Sequence, residues 1–464
     1  MRQPALAASL AGGADTIVAV ATAPGRGAIA VVRMSGPRAL EIARQHIRPW
    51  PVEARSAMLA NVYDGERSVM LDEAIITTFV GPHSFTGENM VEISTHGGHY
   101  VPARVLAALM SSGARPAMPG EFTRRAVLNG KLDITQAEAI GDLIDAGSSA
   151  MHRAALGQLD GGLSRRISLL RESIITLESL IAYDIDFPEE DDGPVPRDRI
   201  LDGVSKVLSA LDGLLSTVPA GELIREGAVV VTAGAPNAGK SSLFNSLLGQ
   251  SRAIVTDIPG TTRDAIEAFL ETEKWPLRLV DTAGIRETAD AIERIGIEVS
   301  ERYLRSAHVV LACGDSEQSL DHTVRGLENK TPGVVIAVRT KSDLALSRYE
   351  TGKSGDEPSV LWVSAETGEG LEQLLARIDE VLTKSVGSPV AEYPLLTRAR
   401  HVRRIREARD EIAAFGTAWS EDSLPAPVAA VHLRSAVSAL EELIGAVSTD
   451  DVLDRVFSSF CVGK

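Results

Sequence analysis

Gly234-Ala-Pro-Asn-Ala-Gly-Lys-Ser241 has the spacing G-x-x-x-x-G-K-S. Val229-Val230-Val231 before it is a short apolar run, the signal of a buried strand. Ser242-Leu-Phe-Asn-Ser-Leu-Leu248 after it has helical spacing. Strand, glycine loop and helix in that order predict a phosphate-binding loop. Gly234 and Gly239 let the backbone curl, so that successive N–H groups face phosphate oxygens. The helix N-terminus adds partial positive charge. Asn237, Ala238, Gly239, Lys240, Ser241 and Ser242 are the expected nucleotide-binding run. Lys240 can reach the β- and γ-phosphates, and the Ser241 hydroxyl can ligate Mg²⁺.

A chain of 464 residues is too long for one core, so roughly two to four domains are expected. The apolar and charged contents, 44% and 24%, fit a globular protein. No apolar run reads as a membrane span, and Met1 to Gly13 lacks a signal-peptide core. The expectation is therefore a cytoplasmic protein with a frayed leader. Two cysteines exclude a disulfide framework. The net charge of −16 argues against a protein that coats nucleic acid, but it leaves room for a local basic face.

Outward from the loop, residues 222–384 alternate strands and helices, as in a doubly wound sheet. Strands are expected at Leu277–Asp281, His308–Ala312, Val334–Arg339 and Val360–Ser364. Residues 14–115 also read as α/β. Strands are expected at Thr16–Val20, Ala28–Arg33, Ala74–Val80 and Met90–Ser94, and helices at Pro37–His46 and Pro102–Met110. Between 119 and about 218 the pattern is helical. Ile167, Leu170, Ile174, Leu177 and Ile181 form one seam; Leu201, Val204, Leu208, Leu211 and Leu215 form another. Phe187–Pro196, with four successive carboxylates, reads as an exposed loop. After about 390 the chain is helical again. Arg398, Arg400, Arg403, Arg404, Arg406 and Arg409 make one helix basic; it suits a tRNA backbone or a solvated bundle face paired with Glu407 and Asp410. Helices on both sides of an α/β unit suggest a bundle into which a nucleotide domain is inserted. The predicted division is 1–118, 119–220, 221–385 and 386–464.

Further motifs follow the loop. Asp281-Thr282-Ala283-Gly284 ends a strand; such an Asp sits near Mg²⁺, and the Gly N–H can meet the γ-phosphate. Thr256-Asp257-Ile258-Pro259-Gly260-Thr261-Thr262 supplies candidate hydroxyl ligands, with Thr262 chosen for Mg²⁺. In Thr340-Lys341-Ser-Asp343 the carboxylate can accept both guanine N1–H and the 2-amino hydrogens, which implies GTP. Ser364-Ala365-Glu366 can offer a backbone N–H to the guanine oxygen. Two departures matter. Thr340 stands where base-reading motifs usually have Asn, and it is expected not to brace the loop and base as an amide would. Ile285 stands where many GTPases have a water-orienting Gln, which leaves Asp290 or Glu293 as polar candidates. No arginine finger is evident. Asn237, with backbone carbonyls of 256–261, could hold a monovalent cation instead.

The chain resembles the MnmE (TrmE) family of tRNA modification GTPases nearly end to end. The residues that carry this are Ala23-Pro-Gly-Arg-Gly27, Ser84-Phe-Thr-Gly-Glu88, His96-Gly-Gly98 and Pro119-Gly-Glu-Phe-Thr-Arg-Arg-Ala126. Asn129-Gly-Lys-Leu-Asp133, Asp186-Phe-Pro-Glu-Glu190, the GTPase motifs and the terminal Phe460-Cys-Val-Gly-Lys464 complete the set. Only 1–13 and the loop around 346–358 fall outside it. The resemblance implies a folate-binding N-terminal domain that forms a homodimer, a split helical domain and an inserted P-loop GTPase domain. It implies work with the flavoprotein MnmG (GidA), which carries the flavin, to modify C5 of the wobble uridine of certain tRNAs. A tetrahydrofolate derivative, 5-formyl or 5,10-methylene, would give the one-carbon unit. K⁺-dependent GTP hydrolysis with pairing of the GTPase domains is also implied.

By position the resemblance puts K⁺ on Asn237, Thr256, Ile258 and Thr261, and Mg²⁺ on Ser241 and Thr262. Glu293 matches the water-positioning glutamate. Folate contacts fall on Arg33, Glu92, Lys131 and Lys464, although Arg33 and Glu92 read by themselves as ordinary strand charges. Thr95 stands where the family segment usually has Gly. Cys461 has no neighbouring base in sequence and is expected to do no covalent chemistry; Cys313 is expected in the core. The competing reading is a GTP switch acting on the ribosome or another partner, with the folate-type domain as scaffold.

Overall fold

Alternating apolar residues build the first sheet, and continuous apolar runs build the second. The computed structural model describes residues 15–50, 52–65, 69–186, 195–250, 266–281, 301–344, 360–387, 394–421, 423–445, 453, 456–457 and 460–463. The chain divides into two compact units: 1–141 with 159–164 and 441–464, and 142–158 with 165–440.

In the first unit, β1 (Ile17–Val20), β2 (Ile29–Ser35), α1 (Ala39–His46), β3 (Ile47–Arg48), β4 (Ala57–Asp64), β5 (Val69–Phe79), β6 (Met90–His96), α2 (Tyr100–Ser111) and β7 (Arg115–Pro116) follow one another. They give a seven-stranded sheet of order β3-β4-β5-β6-β2-β1-β7. Neighbours are antiparallel except β1 and β7. One face of the sheet, with Val32, Met34, Ile76 and Ile93, packs on Ile42 of α1 and on Val105 and Leu109 of α2. Each such side chain contributes about 1.5–3 kcal/mol of burial. Helix α2 stops at Ser112, where Gly113 turns the chain at φ +105°.

Two helices complete this unit, α3 (Glu121–Leu128) and α4 (Ile134–Ile144). Asp133 and Gln136 cap α4 reciprocally: the Gln136 N–H donates to Asp133 at 2.9 Å, and the Asp133 N–H donates to Gln136 at 3.0 Å. Ile134 and Ala137 then pack on Leu453, Val456 and Phe457 from the far end of the chain.

The second unit contains α5 (Ser149–Leu159), most of α6 (Gly162–Asp186), α7 (Arg197–Leu215), α8 (Val218–Glu226), β8 (Ala228–Gly234), α9 (Lys240–Gln250), β9 (Ile266–Glu271), β10 (Pro276–Asp281), β11 (Val309–Gly314), α10 (Glu317–Leu327), β12 (Val334–Arg339), β13 (Val360–Trp362), α11 (Leu371–Val386), α12 (Ala399–Glu421) and α13 (Ala426–Ile444). Its sheet runs β13-β12-β11-β8-β10-β9, parallel throughout except that β9 is antiparallel to β10. Strand β11 is buried at every position, as a central parallel strand covered on both faces must be. The strand that leads into the glycine loop, β8, lies beside it. The protein is thus a multidomain α/β plus α chain, with a mainly parallel sheet that carries the glycine loop in its second unit.

The helical seams are informative in their phase. All five residues of the 167–181 seam are buried. In α7 the buried row is instead Ile200, Val204, Val207, Leu211 and Leu214, with Leu201, Leu208 and Leu215 half-buried beside it. Both rows are apolar, and packing against α12 selects one of them. Among the described residues, one stretch, Arg197–Glu226, is by length and composition apolar enough to cross a bilayer. It is two helices, and the apolar row of α7 is buried. The sequence reading missed β3, β4, β7 and β9 and made β5 too short.

His308 ends a loop by accepting the Val229 N–H on Nδ1 at 3.0 Å, while its own N–H donates to Val229 O at 2.9 Å. Burial, then Arg278, push its pKa below the usual value of 6.5. The sign follows: the unfolded chain takes up a proton that the folded chain refuses. The contribution of His308 is therefore complete above pH 6.5 and lost as pH falls through the depressed folded pKa. Melting curves at pH 7.5 and 5.5 should show a larger acid loss for the unaltered protein than for His308→Asn.

Candidate functional site

The glycine loop sits where β8, β10, β11 and β12 end together, the usual ligand edge of a parallel sheet. Its glycines are set by close approach. A Cβ on Gly234 (φ +153°) would lie 2.4 Å from Cys313 O, and one on Gly239 (φ +81°) would lie 3.2 Å from Thr340 Cβ. Asn237 is exposed in the left-handed region at φ +62°, a conformation asparagine tolerates better than most residues. Lys240 is only 7% exposed. Its ammonium donates to the carbonyls of Gly234 at 3.1 Å and Ala235 at 2.8 Å, which holds the charge against its own loop. Asp281, at the end of β10, is 2% exposed and accepts from the Thr232 hydroxyl at 3.2 Å. Cys313 lies behind the loop as a core residue, and burial pushes its thiol up to about 12. It is no nucleophile.

Beside the loop is a cavity of about 490 Å³, lined among others by Gly239, Ser242, Thr340, Lys341, Asp343 and Ala365. Thr340, Lys341, Asp343 and Ala365 are residues the sequence assigns to the base, and Gly239 and Ser242 belong to the phosphate loop. Ser364 donates to the Asp343 carboxylate at 2.7 Å and fixes its direction. Ser246 of α9 donates to Ala365 O at 2.7 Å and ties the next loop down. Lys341 adopts φ +56° and its ammonium pairs with Asp315 at 3.2 Å. Thr340 corrects an expectation. Its hydroxyl donates to Ala238 O at 2.8 Å, so it does brace the phosphate loop, although it has no amide. The reading failed because the partner lies 102 positions away.

Thr256, Asp257, Ile258, Pro259, Gly260, Thr261, Thr262, Thr282, Ala283, Gly284, Ile285, Asp290, Glu293 and Lys464 lie outside the described residues. Ser241 is the second residue of α9, directly after Lys240.

The first unit brings together a second set of side chains. Arg33 and Glu92 face each other across β2 and β6, and the guanidinium donates to the carboxylate at 2.9 and 2.8 Å. Arg33 is 20% exposed at its side chain. It lies over Phe85 at 5.7 Å and over Phe122 at 5.8 Å, distances at which a cation is attracted to a ring face. Both rings belong to the quoted motifs, but the sequence reading weighed only the glycines and charges there. Lys131 donates to Pro82 O at 3.2 Å on the same loop.

An ion network holds this arrangement. Arg125 donates to Asp15 at 2.7 Å, Glu121 at 3.1 Å and Glu88 at 3.2 Å. Arg115 binds Asp15 and Glu121 as well. Burial pushes the Glu121 carboxyl up, but Arg115, the Met118 N–H and Arg125 outweigh it and keep it below its usual value. Asn129 donates to Thr86 O at 2.7 Å. The end of the chain joins the same place. Gly120 donates to Cys461 O at 3.3 Å, Val462 bridges Pro119, and a Cβ on Gly463 would lie 2.6 Å from Val20 O. The Cys461 thiol is exposed. Among the described residues, no cluster of three or more His, Cys, Asp or Glu could hold a metal ion.

The basic stretch 398–409, at the start of α12, carries several internal ion pairs. Arg398 grips Asp142 at 2.6 and 3.1 Å, Arg404 pairs with Glu407 and Arg409 with Asp212.

Two family models match the chain: the MnmE helical domain over residues 134–461 and the GTP-binding protein TrmE N-terminus over 16–131. Curated relatives named tRNA modification GTPase MnmE match it nearly end to end. The protein of Moorella thermoacetica is 40% identical, over 97% of this chain and 99% of its own. That of Aquifex aeolicus is 40% identical, over 97% and 100%. That of Azoarcus is 42% identical, over 97% and 98%. Among solved structures, the G domain of the Thermotoga maritima FeoB iron transporter is 32% identical over 33% of this chain and 98% of that one, at a TM-score of 0.25, which is too low to bear on the assignment.

The Ser364–Asp343 hydrogen bond sets a measurable expectation. Ser364→Ala leaves the carboxylate without its donor and should weaken guanine nucleotide binding by about 3–10-fold. Titration with a fluorescent GDP analogue reads this directly.

Proposed function

The chain belongs to the MnmE (TrmE) family of tRNA modification GTPases, and from that membership we propose that it is the GTP-hydrolysing subunit of an assembly that modifies C5 of the wobble uridine. That it is a GTP-hydrolysing, tRNA-modifying enzyme follows from the family itself. The group added, aminomethyl or carboxymethylaminomethyl, and its one-carbon donor belong to the proposal.

The observation that carries it is Arg33, within cation–π distance of both Phe85 and Phe122 and paired with Glu92, in a chain whose other unit holds the phosphate loop. Two aromatic rings beside an anchored guanidinium suit a flat heteroaromatic ring with a polar edge or an acidic tail. A GTPase switch has no use for such a set. A tetrahydrofolate derivative, 5-formyl or 5,10-methylene, would supply the one-carbon unit, and Arg33, Glu92, Lys131 and Lys464 would hold it. Arg33 donates to Glu92 through Nε and one Nη, and a guanidinium carries further hydrogens with which it could meet a ligand.

In the nucleotide site, Lys240 and the loop N–H groups bind phosphate, and Asp343 reads guanine. Mg²⁺ would be held by Ser241 and Thr262, with the buried Asp281 alongside, and would offset phosphate charge. Asn237 with Thr256, Ile258 and Thr261 would hold K⁺ in place of an arginine finger. The exposure of Asn237 at the loop surface fits that use. Glu293 would orient the attacking water, since Ile285 has no polar atom to do so.

We also propose a cytoplasmic homodimer through the first units, working with tRNA and the flavoprotein MnmG (GidA). Leu59 and Ile75, neighbours across β4 and β5, are 56% and 41% exposed on the sheet face away from the helices, which suits a self-association surface. Pairing of the GTPase domains within that dimer would complete the hydrolytic site.

Two experiments test this. In cells lacking the protein, mass spectrometry should find unmodified wobble uridines. The full chain should restore them, and a chain ending at Phe460 should not, although the purified truncation still hydrolyses GTP. Restoration by the truncation would favour the switch reading. Hydrolysis measured in KCl and NaCl should be faster in K⁺, and equal rates would remove the role given to Asn237.

A further inference from the structure

We propose that Tyr303 is a positioning residue for GTP hydrolysis: its hydrogen bond to Glu267 fixes the point at which the chain returns to the sheet after the stretch 282–300. The proposal rests on the reading that Glu293, within that stretch, orients the attacking water.

Residues 301–306 are helical and lead into β11. Tyr303 and Leu304 pack with Val229, Val231, Val280 and Val310. The Tyr303 hydroxyl donates to the Glu267 carboxylate on β9. Burial, then Glu267, raise the phenol above its usual value of 10, so the proton stays on Tyr303 and the direction of the bond is set. Arg302 lies 5.5 Å from the centre of the same ring.

Register gives the tie its place. In the β9–β10 pair, Ile266 stands opposite Asp281 and Glu267 opposite Val280. The chain leaves the sheet after Asp281, and its return is tied one register step away. Ile266 also follows directly on the stretch 256–265, which holds Thr261 and Thr262. One hydrogen bond therefore joins the strand that begins after the first stretch to the helix that follows the second.

Strand β9 is an edge strand, with β10 as its neighbour in the sheet. Its far end is nonetheless held. Glu271 accepts the Ser149 N–H at the start of α5, and the Thr272 hydroxyl donates to Asp379 of α11. Trp275, fully buried in the turn to β10, donates from its indole to Thr383 at 3.1 Å. An anchored strand is a fixed reference, so the tie sets the helix and not the reverse. A stretch whose ends are held close together has fewer arrangements than one with a free end. The gain falls on hydrolysis, which needs one side chain of that stretch in one place. Binding is left to the phosphate loop and Asp343.

The test uses the full chain with Tyr303→Phe, Glu267→Gln, Glu267→Ala and the double variant Tyr303→Phe/Glu267→Ala. The kcat and KM for GTP and the affinity for a fluorescent GDP analogue are measured for each. Phenylalanine keeps the ring and its packing and removes the hydroxyl. Its kcat should fall about 3–10-fold, with KM and GDP affinity held within about twofold. Glutamine keeps an acceptor oxygen and should hold kcat within about twofold of the unaltered protein. Alanine should lose what Tyr303→Phe loses, and the double variant should lose no more than either single one. A Tyr303→Phe protein with unaltered kcat would overturn the proposal, whether or not it melts earlier. So would single losses that multiply in the double variant, since the two side chains would then act apart. If Glu267→Ala does not fold, Tyr303→Phe and Glu267→Gln still decide: equal losses of kcat in both refute the hydrogen bond as the cause. Failure of the Glu293 reading is separable, and would appear as a Glu293→Ala protein that hydrolyses GTP at the normal rate.

Discussion

The close approach of the phosphate loop to β11 and to the residue after β12 is the constraint on which the nucleotide site depends. Gly234 lies against Cys313 O and Gly239 against Thr340, at distances that leave no room for a side chain at the first and little at the second. A parallel sheet makes this possible, because adjacent strand ends bring their following loops to one edge. Phosphate cradle, Asp281 and base-reading loop then share that edge. The strands beneath are buried on both faces, so the edge is a stiff platform.

The first unit reaches a comparable result by other means. Its antiparallel sheet has one face covered by helices, and the Arg33 pair sits on the other face. Position there is set by charge. Two arginines and three carboxylates join the stretch 84–88 to the stretch 119–126, and this holds Phe85 and Phe122 near Arg33. Buried ion pairs add little net stability over apolar packing, yet they are costly to break one partner at a time. Their effect here is to fix the geometry of the rings. Gly120, left-handed at φ +65° and packed on Phe457 and Phe460, lets the chain end lie against the same stretch.

The sequence showed the nucleotide site most clearly because its parts are local. A glycine loop, a strand-ending Asp281 and an Asp343 each declare themselves within a few residues. The first unit was legible mainly through resemblance. Arg33 and Glu92 are 59 positions apart and meet only through strand register. Strand β4, Ala57–Asp64, escaped notice because alanine and asparagine blur its alternation, although Ala60 and Val62 are buried on one side. In α7 two apolar rows lie side by side, and no periodicity can say which one α12 will cover.

The charge on α12 shows how a structure narrows a choice that composition leaves open. Six arginines suggest a grip on an RNA backbone. Arg398 is spent on Asp142, Arg404 on Glu407 and Arg409 on Asp212, so half of that charge is already neutralised within the protein. Arg403 and Arg406 point outward, but two exposed cations release few counterions and give a shallow dependence on salt. In a chain of net charge −16, such a face cannot hold a nucleic acid by long-range attraction. Any hold of this helix on an RNA backbone would therefore rest on contacts made at short range. This is the behaviour expected of an enzyme that has to address one nucleotide rather than coat a strand.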